Sequence, residues 1–173
     1  MKSEQELNEK IKCLKKISLF KEIVDDTEAM HAVAELFETV SYSQGDTVVR
    51  EKVQGNSVFV IKSGTVEIVK QTMQGDKYVV TELSADMNIF FGEVGLLDPD
   101  VRSATVQCKT DCEFYMLERE RFLNYGNKNP RIGLIITREL SRILCKRLRK
   151  ANNDIMTLFD ALVEEVEISG GII

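Results

Sequence analysis

The spacing of apolar positions changes twice along the chain, and each change predicts a different kind of element. Over residues 4–37 apolar side chains recur at helical intervals, at Leu7, Ile11, Leu14 and Ile17. Val24 then precedes Asp25-Asp26-Thr27-Glu28, a start signal for a second helix in AMHAVAELF. From residue 38 to residue 117 the period falls to two. Short runs rich in β-branched and aromatic residues (FETVSY, DTVVR, SVFVIK, TVEIVK, KYVVTEL, SATVQC, CEFYML) alternate with turn signals at Ser43-Gln44-Gly45-Asp46, Gln54-Gly55-Asn56, Ser63-Gly64 and Gln74-Gly75-Asp76. This spacing predicts an antiparallel jelly roll, a double-stranded β-helix barrel. Gly45, Gly55 and Gly64 read as turn glycines that need a positive φ.

The third texture is helical again. The segment ERERFLNYG ends at Gly126, and Asn129-Pro130 supplies an N-cap and a first-turn proline for a long helix. Ile132, Ile136, Leu140, Leu144, Leu148, Ala151, Ile155, Leu158, Leu162 and Val166 follow at intervals of three or four. At about 1.5 Å of rise per residue such a helix outruns the width of a small barrel. Part of its stripe then needs a partner, and the same helix of a second copy, in a parallel coiled-coil dimer, is the simplest. The alternative is a helix folded back on its own barrel through a break near Asn152-Asn153. The chain therefore reads as α+β, mainly β: a helical segment at 1–37, a β core at 38–117, and a hinge with a long C-terminal helix at 118–168.

Composition narrows the function. A hydrophobic content of 43% with 29% charged residues is that of a folded globular chain. A net charge of -5 disfavours a nucleic-acid surface, and Lys146-Arg147-Leu148-Arg149-Lys150 reads as a solvated helix face. The N-terminus MKSEQELNEKIKCLKK is charged throughout, and no eighteen uncharged apolar residues follow one another, so a cytoplasmic chain without membrane contact is expected. Cys13, Cys108, Cys112 and Cys145 form no CxxC pair and read as reduced packing residues. With a single histidine, His31, on a separate helix, a metal-dependent jelly-roll enzyme of the cupin type lacks its ligands. No enzymatic role is expected.

The stretch FFGEVGLLDPDVRSATV, residues 90–106, carries the chemistry. It is apolar except where Gly92-Glu93 and Arg102-Ser103 interrupt it, and a buried charge is costly unless paired. GEVGLLDPD reads as one turn of helix closed by Asp98-Pro99-Asp100, whose glycine start leaves backbone N–H groups open to an anion. Arg102 offers a planar fork to the same anion, and Ser103 adds a hydroxyl and a backbone donor. Glu93 is then placed to accept a hydroxyl beside it, such as a ribose 2′-OH. Alternatively, Glu93 and Arg102 form a mutual salt bridge and no ligand is bound.

Phe91-Gly92-Glu93-Val94-Gly95-Leu96-Leu97 followed by Arg102-Ser103-Ala104-Thr105-Val106 resembles the phosphate-binding cassette of the cyclic nucleotide-binding domain family. Gly45-Asp46, the run from Gly55-Asn56-Ser57 to Ser63-Gly64, and Asn129-Pro130 extend the likeness over nearly the whole chain. The resemblance implies a sensor domain like that of catabolite activator proteins, with cyclic AMP or cyclic GMP as a bound ligand rather than a catalytic cofactor. It implies that Gly92, Val94 and Ser103 donate to the cyclic phosphate, that Arg102 pairs with it, and that Glu93 holds the ribose hydroxyl. In the catabolite activator branch the base meets the middle of the long helix, here Ala151-Asn152-Asn153; Asn152 and Asn153 either pair with a purine edge or fix the register of a dimer. The family usually has a proline-glycine turn before the cassette, and Leu83-Ser84-Ala85-Asp86-Met87-Asn88-Ile89 departs from it. No helix-turn-helix, kinase or channel segment follows, so the expected role is a regulatory module acting on an unidentified protein effector, or a piece of a larger sensor. The competing expectation keeps the fold and drops the nucleotide, leaving a dimeric protein-interaction module.

Overall fold

The computed structural model describes residues 2–72, 74–98 and 101–170. The chain divides into two compact units, Met1–Ile136 and Thr137–Ile173. The first begins with helix α1 (Lys2–Leu14), a 3-10 turn at Ser18–Phe20 and helix α2 (Thr27–Glu35). Asp26 caps α2, its carboxylate accepting from the Ala29 N–H at 2.9 Å, as the start signal predicts. That hydrogen bond, and then the Arg131 guanidinium, hold the Asp26 carboxyl below the usual carboxylate range. Leu14, Ile17, Phe20, Ile23, Met30 and Val33 are buried. His31 lies at the surface, 3.6 Å from Glu35.

Eight strands follow: β1 (Glu38–Tyr42), β2 (Thr47–Val49), β3 (Ser57–Ser63), β4 (Thr65–Gln71), β5 (Lys77–Ser84), β6 (Phe90–Phe91), β7 (Thr105–Cys108) and β8 (Cys112–Glu118). They pair antiparallel into two four-stranded sheets, ordered β1-β8-β3-β6 and β2-β7-β4-β5. The jelly roll is thus an open two-layer sandwich rather than a closed barrel. Each sheet keeps two edge strands, β1 and β6 in one and β2 and β5 in the other. Gly45 and Gly64 take positive φ angles of 87° and 90°, as their turns require.

Val49, Phe59, Ile61, Val66, Phe91, Val106, Cys108, Cys112 and Phe114 fill the space between the sheets. Phe59 stacks on Phe91 at 5.3 Å, and Phe114 meets both edge-on at 6.0 and 5.8 Å. This cluster positions the site, because Phe91 is the residue before Gly92. Burial, then the neighbouring Cys112, pushes the Cys108 thiol up to about 12, as fits a packing cysteine. Where the family pattern has a proline-glycine turn, the chain makes a 3-10 turn at Ala85–Met87 closed by Asn88 in the left-handed region, φ 49°. The predicted turn residues Pro99 and Asp100 lie outside the described residues.

Helix α4 (Arg119–Lys128) runs through Gly126 instead of ending there. The Asn129 side chain turns back to donate to Tyr125 O at 3.3 Å, closing α4 rather than capping the next helix. Helix α5 (Pro130–Gly170) starts at the predicted proline. A Cβ on Gly133 would come within 2.7 Å of Gly126 Cα, so α4 and the first turn of α5 touch backbone to backbone. In the second unit α5 is unbroken through Asn152-Asn153, and every side chain from 145 to 166 is exposed. Among the described residues no helix is long and apolar enough to cross a membrane.

Candidate functional site

Arg102 is held by its own backbone before its side chain is considered. Its N–H donates to Val53 O and its C=O accepts from the Lys52 N–H, each at 2.9 Å, while Gln54 bridges to Val101. The side chain then turns inward. Nη1 donates to Gly92 O at 2.9 Å and Nη2 to Ser57 O at 2.6 Å. Three glycines leave room for it: a Cβ on Gly55 would lie 1.9 Å from Nε, one on Gly92 2.7 Å from Nη1, and one on Gly95 3.1 Å from Nη1. The guanidinium occupies a cradle walled by backbone.

Gly55 therefore departs from its sequence reading. Among the described residues the glycines with positive φ are Gly45, Gly64, Gly75 and Gly92, and what Gly55 contributes is the close approach of Arg102. Gly92, at φ 81°, makes the sharp turn out of β6 into the one-turn helix α3 (Val94–Leu97). Its carbonyl accepts from both Gly95 N–H, at 3.1 Å, and Arg102. The first internal bonds of the turn are those of Gly95 N–H to Gly92 O and Leu96 N–H to Glu93 O, each at 3.1 Å, and the N–H groups ahead of them have no acceptor within the helix.

Glu93 is 5% exposed and lies close enough to Arg102 to act on its charge. Burial lowers the Arg102 pKa, and the Glu93 carboxylate opposes that shift. The Val94 side chain is exposed. Ser103 is exposed beside Arg102. Gly92, Glu93, Val94 and Arg102 are thus gathered in one loop cluster with Ser103 at its rim. Asn152 and Asn153 belong to the second unit, where both are exposed.

Next to the guanidinium is a hollow of about 300 Å³ lined by Val49, Val53, Asn56, Ser57, Phe59 and Arg102 among others. Its lining mixes the apolar Val49, Val53 and Phe59 with the polar Thr47, Gln54 and Asn56 and the cations Arg50 and Arg102, so it offers hydrogen-bonding and anion-pairing groups beside apolar contact. Among the described residues no group of His, Cys, Asp and Glu is placed to hold a metal.

Two contributors were not singled out from the sequence. Ser57 offers its carbonyl to Arg102, a role no side-chain pattern can reveal. Arg119, the first residue of α4, donates its N–H to Asn56 O at 2.7 Å and reaches Leu97 O, at the end of α3, with Nη2 at 3.5 Å. Its Nε is buried without a hydrogen-bond partner. In the sequence it is one arginine of ERERFL and looks like surface charge.

A family model for the cyclic nucleotide-binding domain matches residues 39–129. The CRP-like cAMP-activated global transcriptional regulator of Mycobacterium tuberculosis is 27% identical over 134 residues, which cover 77% of this chain and 57% of the regulator. The cAMP-dependent protein kinase regulatory subunit of Schizosaccharomyces pombe is 36% identical over 90 residues, 52% of this chain and 20% of that subunit. Among solved structures, the catabolite activator protein of Thermus thermophilus superposes with a TM-score of 0.72 at 26% identity, over 82% of this chain and 62% of that one. The chain spans little more than half the length of the first of these relatives.

Proposed function

The chain belongs to the cyclic nucleotide-binding domain family, and from that premise we propose that it is a sensor for cyclic AMP or cyclic GMP, coupling nucleotide binding to its long helix. The role is regulatory rather than catalytic: the nucleotide is bound and released unchanged. Its cyclic phosphate takes backbone N–H donors from Gly92 and Val94, the Ser103 hydroxyl and the Arg102 guanidinium, and Glu93 accepts from the ribose 2′-OH. The base turns toward the hollow beside Val49 and Phe59.

The observation that carries this reading is the backbone cradle around Arg102. Two of the five guanidinium N–H donors go to main-chain carbonyls, Gly92 O and Ser57 O. A phosphate competes with those neutral acceptors through charge-assisted bonds that are roughly twice as strong. When Arg102 turns to it, Gly92 O loses one of its two donors and the turn into α3 is free to shift. Arg119 carries that shift from Leu97 O to α4, and Phe122, Leu123 and residues 127–129 carry it toward α5. Coupling of this kind requires the nucleotide to bind two arrangements with different affinity. The exposed apolar stripe of α5 is the surface through which a second copy associates, making the sensor a homodimer.

The same hydrogen bonds support one other reading. A guanidinium already satisfied by carbonyls suits a domain that binds no nucleotide and serves only for assembly. Calorimetric titration with cyclic AMP and cyclic GMP separates the two. The sensor reading expects heat from at least one nucleotide and a loss of affinity on the order of a hundredfold in Arg102→Ala, since truncating one partner of a buried charge pair costs about 2–5 kcal/mol. No heat from either nucleotide, with an unchanged oligomeric state, would leave the assembly reading standing.

A further inference from the structure

The second unit presents a stripe that the nucleotide site leaves uncovered: Leu148, Ile155, Phe159, Leu162 and Val166 are 59–69% exposed along one side of α5. An apolar face of this length on a solvated helix is an interaction surface. Two features of it identify the occupant and its direction.

The first is spacing. Leu144, Leu148, Ala151, Ile155, Phe159, Leu162 and Val166 stand 4, 3, 4, 4, 3 and 4 residues apart, a series that reads the same in both directions about Ile155. A second α5 laid antiparallel and centred there sets Leu144 against Val166, Leu148 against Leu162, and the small Ala151 against the large Phe159. The alternation of large and small suits interdigitated packing.

The second feature is charge. Residues 142–150 contain Arg142, Lys146, Arg147, Arg149 and Lys150 and no acid, whereas residues 151–170 contain Asp154, Asp160, Glu164, Glu165 and Glu167 and no base. Acidic residues in the last turns oppose the helix dipole, so this order does not serve the isolated helix. A parallel copy sets each half level with its like. An antiparallel copy sets the basic half along the acidic half. Arg147 and Glu165 are eighteen residues apart, five full turns, and so lie on the same edge of the stripe. In the centred antiparallel pair, Arg147 of one copy stands within two residues, about 3 Å of rise, of Glu165 of the other, and symmetry makes the pair twice. Met156, Leu158 and Val163 widen the stripe in its acidic half, where the aliphatic stems of the partner's Arg and Lys can cover them.

We propose that two copies of this chain associate through an antiparallel pair of α5 helices centred on Ile155, in place of the parallel pair that periodicity alone suggests. The inference rests on the homodimer of the reading above and is independent of nucleotide binding. It is tested by disulfide trapping in the full chain carrying Cys145→Ser, which removes the exposed cysteine of the helix. After mild oxidation, Ile155→Cys should link to itself. Leu148→Cys and Leu162→Cys should each stay largely unlinked alone and form a covalent dimer when mixed. Self-linking of Leu148→Cys with no added product in the mixture overturns the antiparallel direction. Absence of any link in Ile155→Cys, with a monomer in sedimentation, overturns the pairing itself. Glu165→Arg should weaken association by about tenfold and Arg147→Glu in the same chain should restore it; failure of that rescue also counts against the arrangement. Calorimetry with cyclic AMP and cyclic GMP on the same samples reports the sensor reading separately.

Discussion

At Gly55 an ideal Cβ would sit 1.9 Å from Arg102 Nε, whereas at Gly45 it would meet nothing within 4 Å. The two glycines are alike in sequence, each inside a turn signal between strands, yet different physics keeps them. Gly45 answers to its own φ of 87°, which a turn pattern predicts. Gly55 answers to a side chain 47 positions later, and no local pattern contains that distance. The Gly92-Glu93 and Arg102-Ser103 pairs were legible because charge inside an apolar run stands out, while the Ser57 carbonyl and Arg119 were not. The contrast gives a paired prediction. Gly55→Ala should expel the guanidinium from its cradle, lowering nucleotide affinity by at least tenfold and stability by about 1–3 kcal/mol, the usual range for overpacking. Gly45→Ala should cost about 1 kcal/mol of backbone strain and leave affinity unchanged. Titration calorimetry and urea unfolding of the two variants read both effects; equal affinities would mean that Arg102 does not need its cradle.

Among the elements, those whose pattern is local came through the sequence and those decided by a distant partner did not. The α2 start at Asp26, seven of the strands and the proline that opens α5 follow from cap chemistry and period. Strand β6 is two residues long and exists because Phe90 and Phe91 pair with Val60 and Phe59 on β3. Helix α4 overruns its expected end because Gly126 is not a terminator but a contact point for Gly133. In a helix interior, glycine to alanine ordinarily stabilises by roughly 0.5–1 kcal/mol. At Gly133 the added methyl would stand 2.7 Å from Gly126 Cα, backbone that cannot turn aside, so Gly133→Ala should destabilise by about 1–3 kcal/mol. At Gly126 the nearest atom is 3.5 Å away, ordinary van der Waals contact, and Gly126→Ala should be neutral or stabilising. Thermal unfolding of the two single variants checks the asymmetry. Equal gains in both would mean that the two helices do not meet in solution as they do here.

For the molecule as a whole, the division into two units falls inside a helix, between Ile136 and Thr137. Helix α5 runs unbroken across that division, so the coupling proposed above would pass along its backbone. Binding without coupling has its own signature. A nucleotide at a hundred times its dissociation constant stabilises the unit that holds it by about 2.7 kcal/mol, which slows amide exchange throughout the sandwich. Protection of residues 38–118 thus reports binding and says nothing about signalling. Residues 137–166 are the informative ones, because their side chains are mostly exposed and their amides open locally rather than through unfolding of the sandwich. With nucleotide saturating and protein concentration fixed, exchange over 120–166 should change in the intact chain. In Arg119→Ala that change should vanish while nucleotide affinity stays within a few fold, since the Arg119 side chain reaches Leu97 O and not Gly92 O or Ser57 O, the carbonyls that hold Arg102. An intact chain whose exchange over 120–166 is the same with and without nucleotide would leave the site as a binding site and remove its claim to drive the helix.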